Sequence, residues 1–80
     1  MNEEYTTVVD LLADSIIDAV ALDIENRSHY VELHRFDNDM PTNDEQRKIF
    51  INALVNAVKN RMNDACVYVT EDDELFIDEL

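Results

Sequence analysis

This chain has 80 residues, and 19 acidic against 6 basic side chains give it a formal net charge of −13. Its 46% hydrophobic content is typical of a folded domain and excludes a disordered acidic tail. The single cysteine excludes an internal disulfide, and the absence of glycine excludes Gly-rich phosphate-binding loops. The apolar run at residues 8–24 is interrupted by aspartates, so it is not expected to cross a membrane. We therefore expect one domain, residues 1–80, in the cytoplasm.

The first predicted helix runs from Tyr5 to about Leu22. Steps of about 100° per residue place its apolar side chains on one side and a narrow acidic arc on the other. The arc consists of Glu3, Asp10, Asp14 and Asp18. Like charges four residues apart destabilise a helix, and no lysine or arginine is interleaved here. The pattern suggests that something other than helix stability keeps these acids in place.

A second helix, within residues 40–62, is expected to be the core helix. Pro41 precedes Thr42, which is predicted to be the N-cap, and Glu45 follows three residues later as in a capping box. Apolar residues then recur every three or four positions, which predicts a broad buried stripe. The stripe consists of Ile49, Phe50, Ala53, Leu54, Ala57, Val58 and Met62, widened by Ile51 and Val55.

Three short β-rich runs complete the chain. The first strand is predicted at His29 to Phe36, and residues 37–41 form the loop into the core helix. Cys66 to Thr70 and Leu75 to Ile77 are predicted to form a hairpin around an acidic turn at residues 71–74. The order α-β-α-β-β predicts an α+β fold, with two helices packed on one face of a three-stranded sheet that ends in a β-hairpin.

The charges are unevenly distributed along the chain. Residues 46–63 contain no acid and carry Arg47, Lys48, Lys59 and Arg61, whereas the segments on both sides of them are strongly acidic. In a domain this small, the acids from the two ends of the sequence could merge into one face. Such a face would attract a basic partner over a distance.

No pattern of residues predicts catalysis, a metal site or a cofactor. His29 and His34 are five residues apart, so on a strand they would point to opposite faces, as two ordinary surface or edge histidines. The acids after Phe36 fail as a calcium loop, because Thr42 occupies the position of the required glycine and Lys48 that of the bidentate glutamate. Cys66 has no identifiable base nearby in the sequence. We therefore expect a protein that is not an enzyme.

The segment Ala13-Asp14-Ser15-Ile16, followed by residues 17–20, resembles the attachment-serine segment of acyl carrier proteins. That family is also acidic and of about this length. The resemblance implies a carrier function with phosphopantetheine on Ser15.

The acidic surface supports a different hypothesis. Aspartates four apart on a helix lie about 6 Å apart along its axis, against about 3.4 Å per nucleotide of one DNA strand, so rows of carboxylates can imitate phosphates. Small acidic α+β proteins of this kind are similar in type, without a shared motif, to the DNA-mimic inhibitors of phages and mobile elements, such as anti-restriction and anti-CRISPR proteins. The predicted contact residues are Asp10, Asp14, Asp18, Glu71, Asp72, Asp73 and Glu74, with Asp37 and Asp39 as extensions.

The expected partner is a basic nucleic-acid-binding protein, such as a nuclease or its complex, with no direct contact to nucleic acid or membrane. Two other interpretations stay open. The chain could be an adaptor or homodimer that binds through the apolar side of the helix at residues 42–62. Alternatively, the acids could serve only to keep the protein soluble.

Overall fold

The computed structural model describes residues 3–79 and the side chains of residues 6–79. The predicted α+β class and the order of its elements are confirmed. Between β1 and α2 lies one additional element, a short 3-10 helix. The elements are α1 (Glu3–Leu22), β1 (Ser28–Glu32), the 3-10 helix (Leu33–Phe36), α2 (Asp44–Arg61), β2 (Ala65–Val69) and β3 (Glu74–Glu79).

The three strands form one antiparallel sheet in the order β1-β3-β2. The last strand therefore lies in the middle, with its hairpin partner β2 on one side and β1 on the other. Val31 and Val69 both pair with Leu75, and Val67 pairs with Ile77. These side chains point to one face of the sheet, and the helices cover that face.

The core lies between that face and the two helices. The buried apolar residues are Val9, Ala13, Ile16, Val20, Leu33, Met40, Phe50, Leu54, Ala57, Val58, Val67, Leu75 and Ile77. On α2, Phe50, Leu54 and Val58 are completely buried, whereas Ile49 is 40% exposed. The centre of the predicted stripe is therefore covered within one chain, whereas Ile51, Ala53, Val55 and Met62 are only partly buried and Ile49 is exposed. A dimer contact through α2 would need an open patch of several hundred Å², and Ile49 is the one apolar side chain of the described α2 stripe that is exposed.

The first strand is shorter than predicted. It ends at Glu32, and the 3-10 helix Leu33–Phe36 follows. The backbone N–H of Leu33 donates to the carbonyl of Asp73 at 3.1 Å, and the N–H of Asp37 donates back to the carbonyl of His34 at 3.2 Å. Leu33 is buried and Phe36 is partly buried, which matches the three-residue period of a 3-10 helix.

The N-cap of α2 is Asn43 and not Thr42. The Oδ1 atom of Asn43 accepts hydrogen bonds from the backbone N–H groups of Glu45 at 2.9 Å and Gln46 at 3.2 Å. Asparagine caps a helix as well as threonine does, so composition alone did not decide between the two neighbours. The helix consequently begins at Asp44.

The hairpin turn is closed without glycine. The N–H of Asp73 donates to the carbonyl of Thr70 at 3.1 Å, and the N–H of Thr70 donates to the carbonyl of Glu74 at 2.8 Å. Asp73 has a φ of 58°, in the left-handed region that aspartate tolerates better than most residues. Glu74, predicted as the last turn residue, is the first residue of β3.

Candidate partner-binding surfaces

Two acidic segments that are distant in sequence meet at one end of the sheet. The hydrogen bond between Leu33 and Asp73 attaches the hairpin turn to the 3-10 helix, and Glu32 pairs with Glu74 across the strands. A 3-10 helix rises about 2 Å per residue, so Asp37 follows within about 8 Å of Leu33 along the helix axis. We name this group of carboxylates the acidic end. It consists of Glu32, Asp37, Asp39, Glu71, Asp72, Asp73 and Glu74.

Few cations compensate the acidic end. Arg47 pairs with Asp37 at 2.7 Å, and the imidazole of His34 lies 3.6 Å from the Glu32 carboxylate. Among residues 3–79, no lysine or arginine pairs with Asp39 or with the carboxylates of residues 71–74. These side chains are exposed apart from Glu74, which is partly buried. The acidic end is therefore an open cluster of mostly uncompensated negative charge.

The aspartates of α1 are compensated from the other helix. Arg61 donates from Nε to Oδ1 of Asp14 at 2.8 Å and from Nη2 to Oδ1 of Asp10 at 3.4 Å. Its Nη1 donates to the carbonyl of Ala57 at 3.0 Å. The hydrogen bond to Asp14 raises the pKa of Arg61 above its ordinary value. Partial desolvation opposes this rise, and the hydrogen bond to Asp10 adds to it. Arg61 thus supplies the cation that the sequence of α1 lacks.

Asp18 is the exception in this row. It is exposed, and within the described part of the chain it has no ion pair. The side chain of Glu3, predicted in the same arc, lies outside the described residues. Among the described side chains of the predicted row, Asp10 and Asp14 share a cation and Asp18 does not.

The acids do not merge into one face. Arg47 pairs with Asp37 near the start of α2, and Arg61 pairs with Asp14 at its end. These arginines are fourteen residues apart on one helix, which corresponds to about 21 Å along its axis. The predicted contact residues therefore form two groups at opposite ends of α2, and they differ in how well they are neutralised.

The face of the sheet that the helices leave uncovered carries a row of aromatic rings, which the sequence analysis did not identify as a group. Tyr30 and Tyr68 both pair with Phe76, one from each neighbouring strand. Each tyrosine ring centroid lies 4.9 Å from that of Phe76. The alternation of residues along the strands was visible in the sequence, but the register that places the three rings side by side was not.

His29 lies on the edge strand β1, which agrees with the second of the two predicted alternatives, but its side chain is not at the surface. It is only 9% exposed, and it faces the helix side of the sheet opposite Ile77. Its Nδ1 lies 3.7 Å from an oxygen of Asp23, and its Nε2 lies 3.7 Å from an oxygen of Glu79. Within the described residues, Nε2 has no hydrogen-bond partner. The position of His34, which is exposed, agrees with the prediction.

Ser15 lies exposed in the middle of α1, in a chain with a three-stranded sheet. The attachment serine of a carrier protein begins a helix, so the geometry does not match the one that the resemblance implies. Across residues 3–79, no group of three or more histidine, cysteine, aspartate or glutamate side chains is arranged to hold a metal ion. No helix in the same range has the length and apolar character to span a membrane.

No protein family, curated protein or solved structure matches this chain.

Proposed function

We propose that this protein is a non-catalytic inhibitor of the DNA-mimic type, acting in the cytoplasm. It binds the basic surface with which a partner protein, such as a nuclease or its complex, holds nucleic acid. The observation that carries this proposal is the acidic end, where two segments far apart in sequence are joined through Leu33 and Asp73 into one cluster of carboxylates.

The charge of the cluster favours such a partner. A surface built to bind nucleic acid presents lysine and arginine to a row of phosphates, and its affinity comes largely from charge. Exposed carboxylates without cations of their own offer the same attraction without a duplex. Asp39 and the turn residues Glu71, Asp72 and Asp73 meet that description.

The α1 group contributes in a different way. Asp10 and Asp14, one helical turn apart, already hold the guanidinium of Arg61 between them. This pairing supports a contact between the row and arginine side chains, but a partner would have to compete with Arg61. We therefore assign the main contact to the acidic end and a secondary contact to Asp18 and its neighbours on α1.

The proposal is tested by capturing the partner with the tagged protein from a nuclease-treated host lysate, at low and high salt, with and without competitor DNA. We expect a nucleic-acid-binding protein that is retained at low salt, released at high salt and displaced by DNA. Capture of a partner indifferent to both salt and DNA would overturn the proposal.

A pair of charge-matched variants then locates the contact. The triple variant Glu71→Gln, Asp72→Asn, Asp73→Asn and the triple variant Asp10→Asn, Asp14→Asn, Asp18→Asn each remove three negative charges. Asparagine tolerates the positive φ of residue 73, so the first variant should keep the turn. We expect the first variant to lose the partner and the second to weaken binding only modestly. Equal losses would indicate that total charge, and not the acidic end, determines binding.

A further inference from the structure

The uncovered face of the sheet is aromatic at its centre. Tyr30 is 62% exposed and Tyr68 is 47% exposed. Their rings pack against the ring of Phe76 at interplanar angles of 51° and 47°, respectively. Tilted rings at this separation support one another and present their faces and edges outward. The row crosses all three strands, so a ligand that lies along it contacts every strand of the sheet.

Carboxylates flank the row on both sides. Side chains two residues apart on a strand point to the same face and lie about 6.6 to 6.8 Å apart, so Glu74 and Asp78 stand on either side of Phe76 along β3. Glu32, which pairs with Glu74, adds a third carboxylate to this face. Asp78 accepts a hydrogen bond from the hydroxyl of Ser28 at 3.0 Å.

The described part of the chain pairs no lysine or arginine with the carboxylates of this face, which are those of Glu32, Glu74 and Asp78. The imidazole of His34 lies 3.6 Å from the Glu32 carboxylate, and Arg35 lines a cavity together with Tyr30 beside strand β1. These three carboxylates are therefore free to pair with positive charge from another molecule.

Aromatic rings beside carboxylates select one type of side chain. A nucleic acid could stack its bases on the rings, but the carboxylates would repel its phosphates. A second copy of this chain would bring its own three carboxylates against these, since the copies carry the same charge. The arginine guanidinium fits both parts of the surface, because its plane stacks on aromatic rings and its N–H groups pair with carboxylates.

We propose that the open sheet face, centred on Tyr30, Phe76 and Tyr68 and flanked by Glu32, Glu74 and Asp78, is a docking surface for arginine side chains of a basic protein segment. This inference goes beyond the proposed function, because the segment need not belong to a protein that binds nucleic acid. The aromatic centre of this face lies outside the acidic end, with which the face shares only Glu32 and Glu74.

The test uses two synthetic peptides of equal length and charge, one of alternating arginine and glycine and one of alternating lysine and glycine. The chain has three tyrosines and no tryptophan, so its intrinsic emission reports on Tyr30 and Tyr68 against Tyr5 as background. The exposed Cys66 pairs with Asp78 on the same face, two residues from Tyr68, so its rate of alkylation is a second local readout. We expect the arginine peptide to bind more tightly, to change the tyrosine emission and to slow the alkylation of Cys66.

Variants distinguish the contribution of the tyrosine rings to peptide binding from that of the negative charge. Replacing both exposed rings, Tyr30→Ile with Tyr68→Ile, keeps the strand preference and should weaken the arginine peptide about five- to thirtyfold, with little effect on the lysine peptide. The control Tyr30→Phe with Tyr68→Phe keeps the rings and should keep the preference for arginine. A second control, Glu71→Gln with Asp72→Asn, lies outside this face and should weaken both peptides equally. Circular dichroism verifies that each variant is folded.

Several results would overturn this inference. These are equal affinity for the two peptides, unchanged alkylation of Cys66, or tighter binding of a single-stranded oligonucleotide. Dimerisation that the Tyr→Ile changes abolish would assign the face to a second copy instead. None of these results depends on the lysate capture above, so failure of the peptide test leaves the DNA-mimic proposal standing. Conversely, a lysate capture that overturns the DNA-mimic proposal does not change the result expected from the peptide test.

Discussion

Asp14 of α1 and Arg61 of α2, 47 positions apart in sequence, are joined by a hydrogen bond of 2.8 Å between Oδ1 and Nε. The same guanidinium reaches Asp10 at 3.4 Å. Arg61 thus links the end of α2 to the acidic side of α1. It also offsets the repulsion between two aspartates one helical turn apart. The role of Arg61 explains why α1 can carry its aspartates without bases of its own.

Replacement of Arg61 with glutamine should lower the melting temperature, and the loss should be larger at low salt, because Asp10, Asp14 and Asp18 then repel one another without compensation. The matched control is Lys59→Gln, which removes the same charge from the same last turn of α2 at a residue with no ion pair among those described. Thermal unfolding monitored by circular dichroism compares the two. Equal melting temperatures for both variants would mean that Arg61 acts only through net charge.

Neutralising Asp18 should raise the free energy of unfolding, and neutralising Asp14 should lower it. Asp18→Asn removes a repulsive charge that has no partner among the described residues, so it should stabilise the fold by a few tenths of a kcal/mol. Asp14→Asn keeps an acceptor oxygen but removes the negative charge that pairs with Arg61, so it should destabilise the fold. Urea unfolding of the two single variants measures the difference, and stabilisation by both would contradict the contribution assigned to Arg61.

Leu54→Ala should cost about 2 to 5 kcal/mol, a large part of the stability of a domain this small, because Leu54 is completely buried between the helices and the sheet. Ile49→Ala is the control on the same helix and should cost less than about 1 kcal/mol, since Ile49 is 40% exposed. Chemical denaturation gives both values. Similar losses at the two positions would indicate that α2 packs in a different rotation.

The cap of α2 can be tested with two neighbouring residues. Asn43→Ala removes the acceptor for the N–H groups of Glu45 and Gln46 and should cost about 0.5 to 2 kcal/mol. Thr42→Ala removes the predicted cap, which makes no such hydrogen bond, and should change the free energy of unfolding by less than about 0.5 kcal/mol. A larger loss at Thr42 than at Asn43 would indicate that Thr42 is the N-cap.

At the turn position 73, glycine should preserve the stability of the fold and valine should lower it. Its φ of 58° costs a non-glycine residue about 1 kcal/mol or more, so Asp73→Gly should be neutral or slightly stabilising. Asp73→Val should destabilise the protein by about 1 to 3 kcal/mol, because a β-branched side chain fits this conformation poorly. Unfolding in urea provides the comparison, and equal stability of the two variants would mean that the turn relaxes to another conformation.

The elements that were predicted best are those whose pattern is long and local. Both helices repeat an apolar stripe over several turns, so their existence and their buried sides were visible in the sequence. The end of β1 was not, because Tyr30, Val31, Leu33 and Phe36 suit a strand as well as a strand followed by a 3-10 helix. The hydrogen bond from Leu33 to Asp73 decided between them, and it depends on a hairpin forty residues away.

The candidate surfaces were also predictable only in part. The sequence identified the acids of α1, of the loop after Phe36 and of the hairpin turn, but not how they are grouped. Strand register brought Glu32 beside Glu74, and the packing of α1 on α2 placed Arg61 between Asp10 and Asp14. The aromatic row was missed because its three rings come from three separate strands.

By itself the sequence determined the fold class, the two helices and the excess of negative charge, because these follow from composition and from periodicities of a few residues. Only the tertiary structure decided which carboxylates are neutralised, which are left open, and which rings share a face. Those properties depend on distances between residues remote in sequence, and such distances are set by the strand register and by the packing of α1 against α2.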